Sequence, residues 1–123
     1  MIPSPPRYRI EFYRTSRGEE PVRRFLDELD RKLRIKAGRW LGMLEEYGPN
    51  LPRPYADVLD GPIRELRVGH GRLSVRLLYF FHANTIIVLA HGFLKKTDAV
   101  PPGEIEAAHR ARLNWILMHG SDA

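Results

Sequence analysis

The stretch Gly61–Thr97, GPIRELRVGHGRLSVRLLYFFHANTIIVLAHGFLKKT, decides the fold of this 123-residue chain. Three runs of strand-forming residues follow one another there: Ile63–Val68, Leu73–His82 and Thr85–Leu94. The breaks at Gly69–Gly71 and at Ala83-Asn84 are so short that the runs must be antiparallel neighbours in one sheet. Six cations, Arg64, Arg67, Arg72, Arg76, Lys95 and Lys96, lie along and between these strands, with Glu65 the one acid in the stretch. Like charges facing one another across a sheet are destabilising, so a set of this size implies a bound anion. A phosphate backbone suits it best, because a guanidinium fixed on a strand presents a planar fork of donors to phosphate oxygens.

On the N-terminal side, Tyr8 to Tyr13 alternates as a first strand. Glu19 and Glu20 precede Pro21 in the way that opens a helix. Val22, Phe25, Leu26, Leu29, Leu33, Trp40, Leu41 and Leu44 then draw one apolar stripe. Pro21 to Tyr47 is therefore helical, and a break near Asp30 to Lys32 folds it into a hairpin, since one straight helix of that length overshoots so small a domain. Gly48-Pro49 stops it, and Asn50 to Gly61, with Pro52, Pro54 and a terminal Asp-Gly, reads as a loop. On the C-terminal side, Ile105, Ala108, Trp115 and Ile116 recur at helical spacing after Pro101-Pro102-Gly103. The predicted architecture is α+β: a mainly antiparallel sheet with an N-terminal helical hairpin and a C-terminal helix, in a single domain over residues 1–123.

Composition narrows the chemistry. The formal net charge is +5, with 12 basic against 10 acidic residues in the first sixty positions and 8 against 5 in the remainder. Clustering matters more than this total, since a local field extends about one Debye length, roughly 8 Å at physiological salt. There is no cysteine, which removes disulfides and thiolate metal sites. His70, His82, His91, His109 and His119 fall in no metal-binding spacing, so no metal or other cofactor is expected. His70 and His82 read as surface residues near turns. No run approaches the ~20 apolar residues of a membrane span or forms a signal peptide, which predicts a cytoplasmic protein with no membrane partner. The second candidate cluster is His91-Gly92-Phe93-Leu94-Lys95-Lys96-Thr97, where alternation groups His91, Phe93 and Lys95 on one face if no bulge intervenes. A histidine beside lysines can move protons at neutral pH, and an aromatic can stack on a base.

The strings Ile63-Arg-Glu-Leu-Arg67, Val75-Arg-Leu-Leu-Tyr-Phe-Phe81 and His91-Gly-Phe-Leu-Lys-Lys-Thr97, followed by a proline and Glu104-Ile-Glu106, resemble the phage-derived, HigB-like branch of the RelE/ParE toxin superfamily. The resemblance covers nearly the whole chain, and one departure is Asp98-Ala99-Val100, which lowers the local positive charge. It implies the toxin of a type II toxin–antitoxin pair: a metal-independent mRNA endoribonuclease, or mRNA interferase, acting on the ribosome and neutralised by a cognate antitoxin, often a helix-turn-helix protein. In such enzymes the RNA 2′-hydroxyl attacks the adjacent phosphorus and the 5′-oxygen leaves. On this reading Arg67 and Arg76 clamp the scissile phosphate, Lys95 and Lys96 add charge or assist proton transfer, and His91 is the general acid or base. Arg64, Arg72 and Phe93 bind RNA. Two rival readings are a ParE-like inhibitor of DNA gyrase, which shares the fold, and a non-catalytic nucleic-acid-binding protein of phage type.

Overall fold

The computed structural model describes residues 7–69 and 74–121. Its elements run β1 (Arg9–Phe12), α1 (Pro21–Asp27), α2 (Arg31–Tyr47), β2 (Ala56–Asp60), β3 (Ile63–Val68), β4 (Ser74–His82), β5 (Ile86–Lys95) and α3 (Pro102–His119), with a 3-10 turn at Gly48–Asn50. The five strands form one sheet in the order β1-β5-β4-β3-β2. β1 lies parallel to β5, and every other neighbouring pair is antiparallel.

The helical stretch breaks as the sequence requires. α1 ends at Asp27, and Asp30 caps α2 by accepting the Leu33 backbone N–H through its carboxylate at 3.0 Å. The stop at Gly48 has a steric cause: its φ is +54°, and a Cβ there would lie 2.3 Å from the Tyr8 ring. The β4–β5 turn places both Ala83 and Asn84 at positive φ, the conformation that matches the twist of a two-residue hairpin.

The stretch Asn50–Gly61 departs from its expected loop. Ala56–Asp60 is an edge strand paired antiparallel with β3, from Ala56 opposite Leu66 to Asp60 opposite Ile63. Its prolines stand before the strand, where they cost no ladder bond, and pairing with β3 overrides the weak strand propensity of its two aspartates.

Each face of the sheet carries its own core. Ala56, Leu66, Val68, Val75, Leu77, Tyr79, Ile87 and Leu89 pack with residues of α1 and α2. Ile63, Leu78, Phe80, Val88, Ala90 and Phe93 pack with Ala108, Ala111 and Trp115 of α3. The sheet is thus the middle of three layers, and alternation along each strand assigns its polar residues to one helix layer or the other.

His82 is not simply a surface residue. It is half-buried, with its ring 5.6 Å from that of Trp115 in an edge-on arrangement. His70 lies outside the described residues.

Candidate functional site

On the α3 face, the register sets Arg67 directly opposite Arg76, and Arg76 opposite Phe93. One step along, Asp57 pairs with Glu65, Glu65 with Leu78, and Leu78 with His91; one step the other way, Ser74 pairs with Lys95. Five of the residues singled out in the sequence, Arg67, Arg76, His91, Phe93 and Lys95, therefore share one patch of one face.

The buried carboxylate of Glu65, 4% exposed, organises the arginines. Its Oε1 accepts from Arg67 Nε at 2.9 Å and lies 2.8 Å from Arg67 Nη2, while its Oε2 lies 3.4 Å from Arg76 Nε. The last approach is an ion pair and not a hydrogen bond, so Glu65 Oε2 and Arg76 Nε are both left without a hydrogen-bond partner. Arg76 Nη1 donates to Ser74 Oγ at 2.7 Å. Burial lowers Arg76 from the ordinary arginine value, with Glu65 opposing the shift; an arginine so placed remains cationic at neutral pH. Asp57 extends the network, 2.7 Å from Arg53 and 3.4 Å from Arg67. The hydrogen bond from Arg53 holds its carboxyl below the usual aspartate value.

His91 reaches this face because of a bulge. Leu78 pairs with His91, but the next β4 residue, Tyr79, pairs with Leu89, so Ala90 is an extra residue on β5. Before the bulge, Val88 and Ala90 face α3; after it Phe93 does, while Gly92 turns toward α1, where a Cβ would lie 2.7 Å from Phe25. His91 Nε2 lies 2.5 Å from Glu104 Oε2 in the first turn of α3. An ionised carboxylate only accepts, so Nε2–H is the donor to Glu104, and Nδ1 has no hydrogen-bond partner among the described residues. The imidazole also stacks on Phe93, with ring centroids 5.9 Å apart.

The remaining predicted residues separate. Arg64 lies on the opposite face, 5.5 Å above the Phe81 ring and donating to the Pro49 carbonyl at 3.4 Å. Beside it, burial pushes the Tyr79 phenol up to about 12, and the Arg64 charge pulls it partly back. Lys95 keeps its place on the patch face but turns its amine to the Asp98 carbonyl at 2.9 Å, whereas Lys96 stands exposed just past the end of β5. Arg72 lies outside the described residues. A separate groove of about 530 Å³, lined among others by Phe12, Arg14, Trp115 and Met118, includes none of these predicted residues. Among the described residues no group of three or more acidic or histidine side chains is placed to hold a metal ion, and no helix is long and apolar enough to cross a membrane.

Three acids were not among the site residues expected from the sequence: Glu65, named there only as the one acid of the basic stretch, Asp57 and Glu104. Glu65 and Arg67 stand two apart on a strand, a spacing that signals a shared face; Asp57 was hidden by the loop reading; Glu104 sat in the first turn of a predicted helix with no sign of its partner.

A five-stranded mixed sheet with three helices, the last of them C-terminal, and a basic patch on one sheet face define a chain compatible with a small RelE-like fold. Residues 24–113 match the family described as Phage derived protein Gp49-like (DUF891). The chain belongs to this family, a phage-derived family of the RelE/ParE toxin type. None of the curated proteins matches it.

Proposed function

We propose that this chain is the toxin of a type II toxin–antitoxin pair and acts as a metal-independent endoribonuclease on ribosome-bound mRNA, in the manner of the HigB-like branch. The observation that carries the reading is the pairing of Arg67 with Arg76 across two strands over one buried carboxylate, in the patch that also holds His91 and Lys95. Glu65 binds Arg67 along its Nε–Nη2 edge and pairs with Arg76 Nε at 3.4 Å, while Ser74 takes Arg76 Nη1; on this reading Arg67 Nη1 and Arg76 Nη2 approach the phosphate. Two such donors stabilise charge gathering on the phosphate oxygens, and loss of one costs on the order of 100-fold in rate. His91 Nδ1 takes the 2′-hydroxyl proton, with Glu104 positioning the ring and stabilising the imidazolium that results. Lys95 and the exposed Lys96 add positive charge at the rim. The antitoxin, in this reading a helix-turn-helix protein, is the neutralising partner.

The experiment is a translation reaction programmed with a defined message, with 5′-end mapping of the RNA and a parallel supercoiling assay on purified gyrase. Cuts at discrete positions in translated message, reduced about 100-fold in Arg67→Ala and in Arg76→Ala, are the expected result. Intact message with inhibited gyrase moves the chain to the ParE-like reading. Intact message with active gyrase and retained RNA binding makes it a binding protein.

A further inference from the structure

We propose that the outer face of α2 is a second anion-binding surface, a dock for the phosphate backbone of double-helical RNA. It lies on the other side of the sheet from Arg67 and Arg76. α2 packs its buried Ala37 and Leu44 toward the sheet, and its other side carries Arg31, Lys32, Arg34 and Arg39, all exposed, with Lys36 half-buried. Residues 31–44 hold these five cations and no acid, as much positive charge as the formal net charge of the whole chain, +5.

Three features of this face cost α2 stability, and among the described residues they are offset only in part, chiefly by the Asp30 carboxylate that caps the helix. Cations in the first turn oppose the helix dipole, and that turn contains no acid. Lys32 and Lys36 are four residues apart, and Arg31 and Arg34 three apart, spacings at which like charges repel. Gly38 and Gly42 lie inside the helix, each costing about 1 kcal/mol relative to alanine, yet a Cβ at either would meet nothing within 4 Å. Among the described residues, Arg31, Lys32, Lys36 and Arg39 form no ion pair. Arg34 donates only to the Asp27 carbonyl, at 3.4 Å, and Lys36 sits 5.6 Å above the Trp40 ring. An ordinary solvated helix face mixes the two signs of charge, whereas the acids of α2, Glu45 and Glu46, are confined to its last turn. Local rules broken together on one face mark a surface shaped for something outside the chain.

The chemistry of the face selects the occupant. Arg31 to Arg39 spans about 12 Å of helix axis with cations on each turn, and the two glycines bare a strip of backbone between them, allowing close approach of a polyanion. Within the cationic segment Ile35 is the one exposed large apolar residue, and Tyr47 at the far end of the helix is the other on α2; the two are too far apart to make the apolar centre of a protein interface or to insert into a membrane surface. The choice of RNA over DNA rests on the mRNA reading above: a message on the ribosome is surrounded by folded RNA, and the sheet face and α2 then grip different segments.

The test measures binding of the purified chain to a blunt RNA hairpin that has no single-stranded cleavage site, across a salt series. Arg31→Gln/Lys32→Gln/Arg39→Gln should weaken binding at least tenfold and lower the salt slope by about 2 to 3. Arg31→Lys/Arg39→Lys, which keeps the charge, should stay within about twofold of the parent chain, as should the sheet-face variant Lys95→Gln/Lys96→Gln, which leaves the counter-charges of Glu65 in place. Equal affinity and slope in the glutamine variant would overturn the proposal, as would loss of hairpin binding in the sheet-face variant. Tighter α2-dependent binding to the matching DNA duplex, or to phosphatidylserine vesicles, would overturn it as well. Hairpin binding through α2 by a chain that leaves messages intact would keep this inference while sinking the nuclease reading, and cleavage without α2-dependent binding would do the reverse.

Discussion

Two groups of cations dominate this chain, and the fold treats them in opposite ways. On the sheet face, Arg67 and Arg76 converge on one carboxylate that is almost wholly buried, and Asp57 braces Arg67 from the side. On the outer face of α2, Arg31, Lys32 and Arg39 stand exposed without an acid partner among the described residues. A buried carboxylate beneath a guanidinium fixes where its remaining donors point but cancels part of its field; an unpaired cation keeps its field and gives up a fixed position. The first arrangement suits a group that must meet one phosphate at one geometry. The second suits attraction to a polymer whose phosphates repeat.

The comparison can be broken most forcefully at Glu65. Glu65→Ala should cost about 3 kcal/mol in urea unfolding, because it leaves Arg76, largely buried, without its counter-charge. An unchanged midpoint would mean that the arginines are held by something other than this carboxylate. Next in size is Glu104→Gln, expected to slow mRNA cleavage about tenfold, or about 1.4 kcal/mol, with little change in message binding. A KM effect with unaltered kcat would remove Glu104 from the positioning of His91. Removing charge from α2 should have the reverse sign on stability. Arg31→Gln/Lys32→Gln/Arg39→Gln should leave the chain as stable or more stable by about 0.5 kcal/mol, since it relieves both repulsion and the dipole mismatch. Destabilisation would show that these cations serve the fold.

The smallest contrast is in pH. Asp57 has its folded pKa lowered below 3.8, chiefly by the hydrogen bond from Arg53. Its contribution is present above the unfolded value and is lost as pH falls through the lower folded value. A modest acid loss below about pH 4 should therefore be smaller in Asp57→Asn, with Glu20 beside Arg23 supplying part of the remainder, and no such loss should follow from the α2 cations, which have no carboxylate partner among the described residues. Chemical denaturation between pH 2 and 5 would check this.

The parts of the fold legible in sequence were those where one period dominates. The alternation of Ile63–Val68 and of the β4 residues, the apolar stripe from Val22 to Leu44, and the Pro-Gly entry to α3 each marked an element whose core contacts the structure confirms. β2 escaped because a five-residue edge strand following prolines has little local signal; its pairing with β3 makes it. Of the site, the grouping of His91, Phe93 and Lys95 was readable from alternation, but their side of the sheet relative to Val88 was not. Arg64 was grouped with Arg67 by composition, although three residues apart on a strand means opposite faces. The acids that hold the basic residues come from β2, β3 and α3, and only the folded chain brings them together.

The extra residue at Ala90 gives β5 a property of parity. Counted from Thr85, an even or odd number of residues decides whether imidazole and phenyl ring look toward α3 or toward α1. The bulge absorbs Ala90, so that Leu89 and His91 meet consecutive residues of β4; drawn out as a regular strand with Ala90 in the ladder, β5 would turn His91 away from Glu104, and the chemistry of this face depends on a residue count as much as on residue identity.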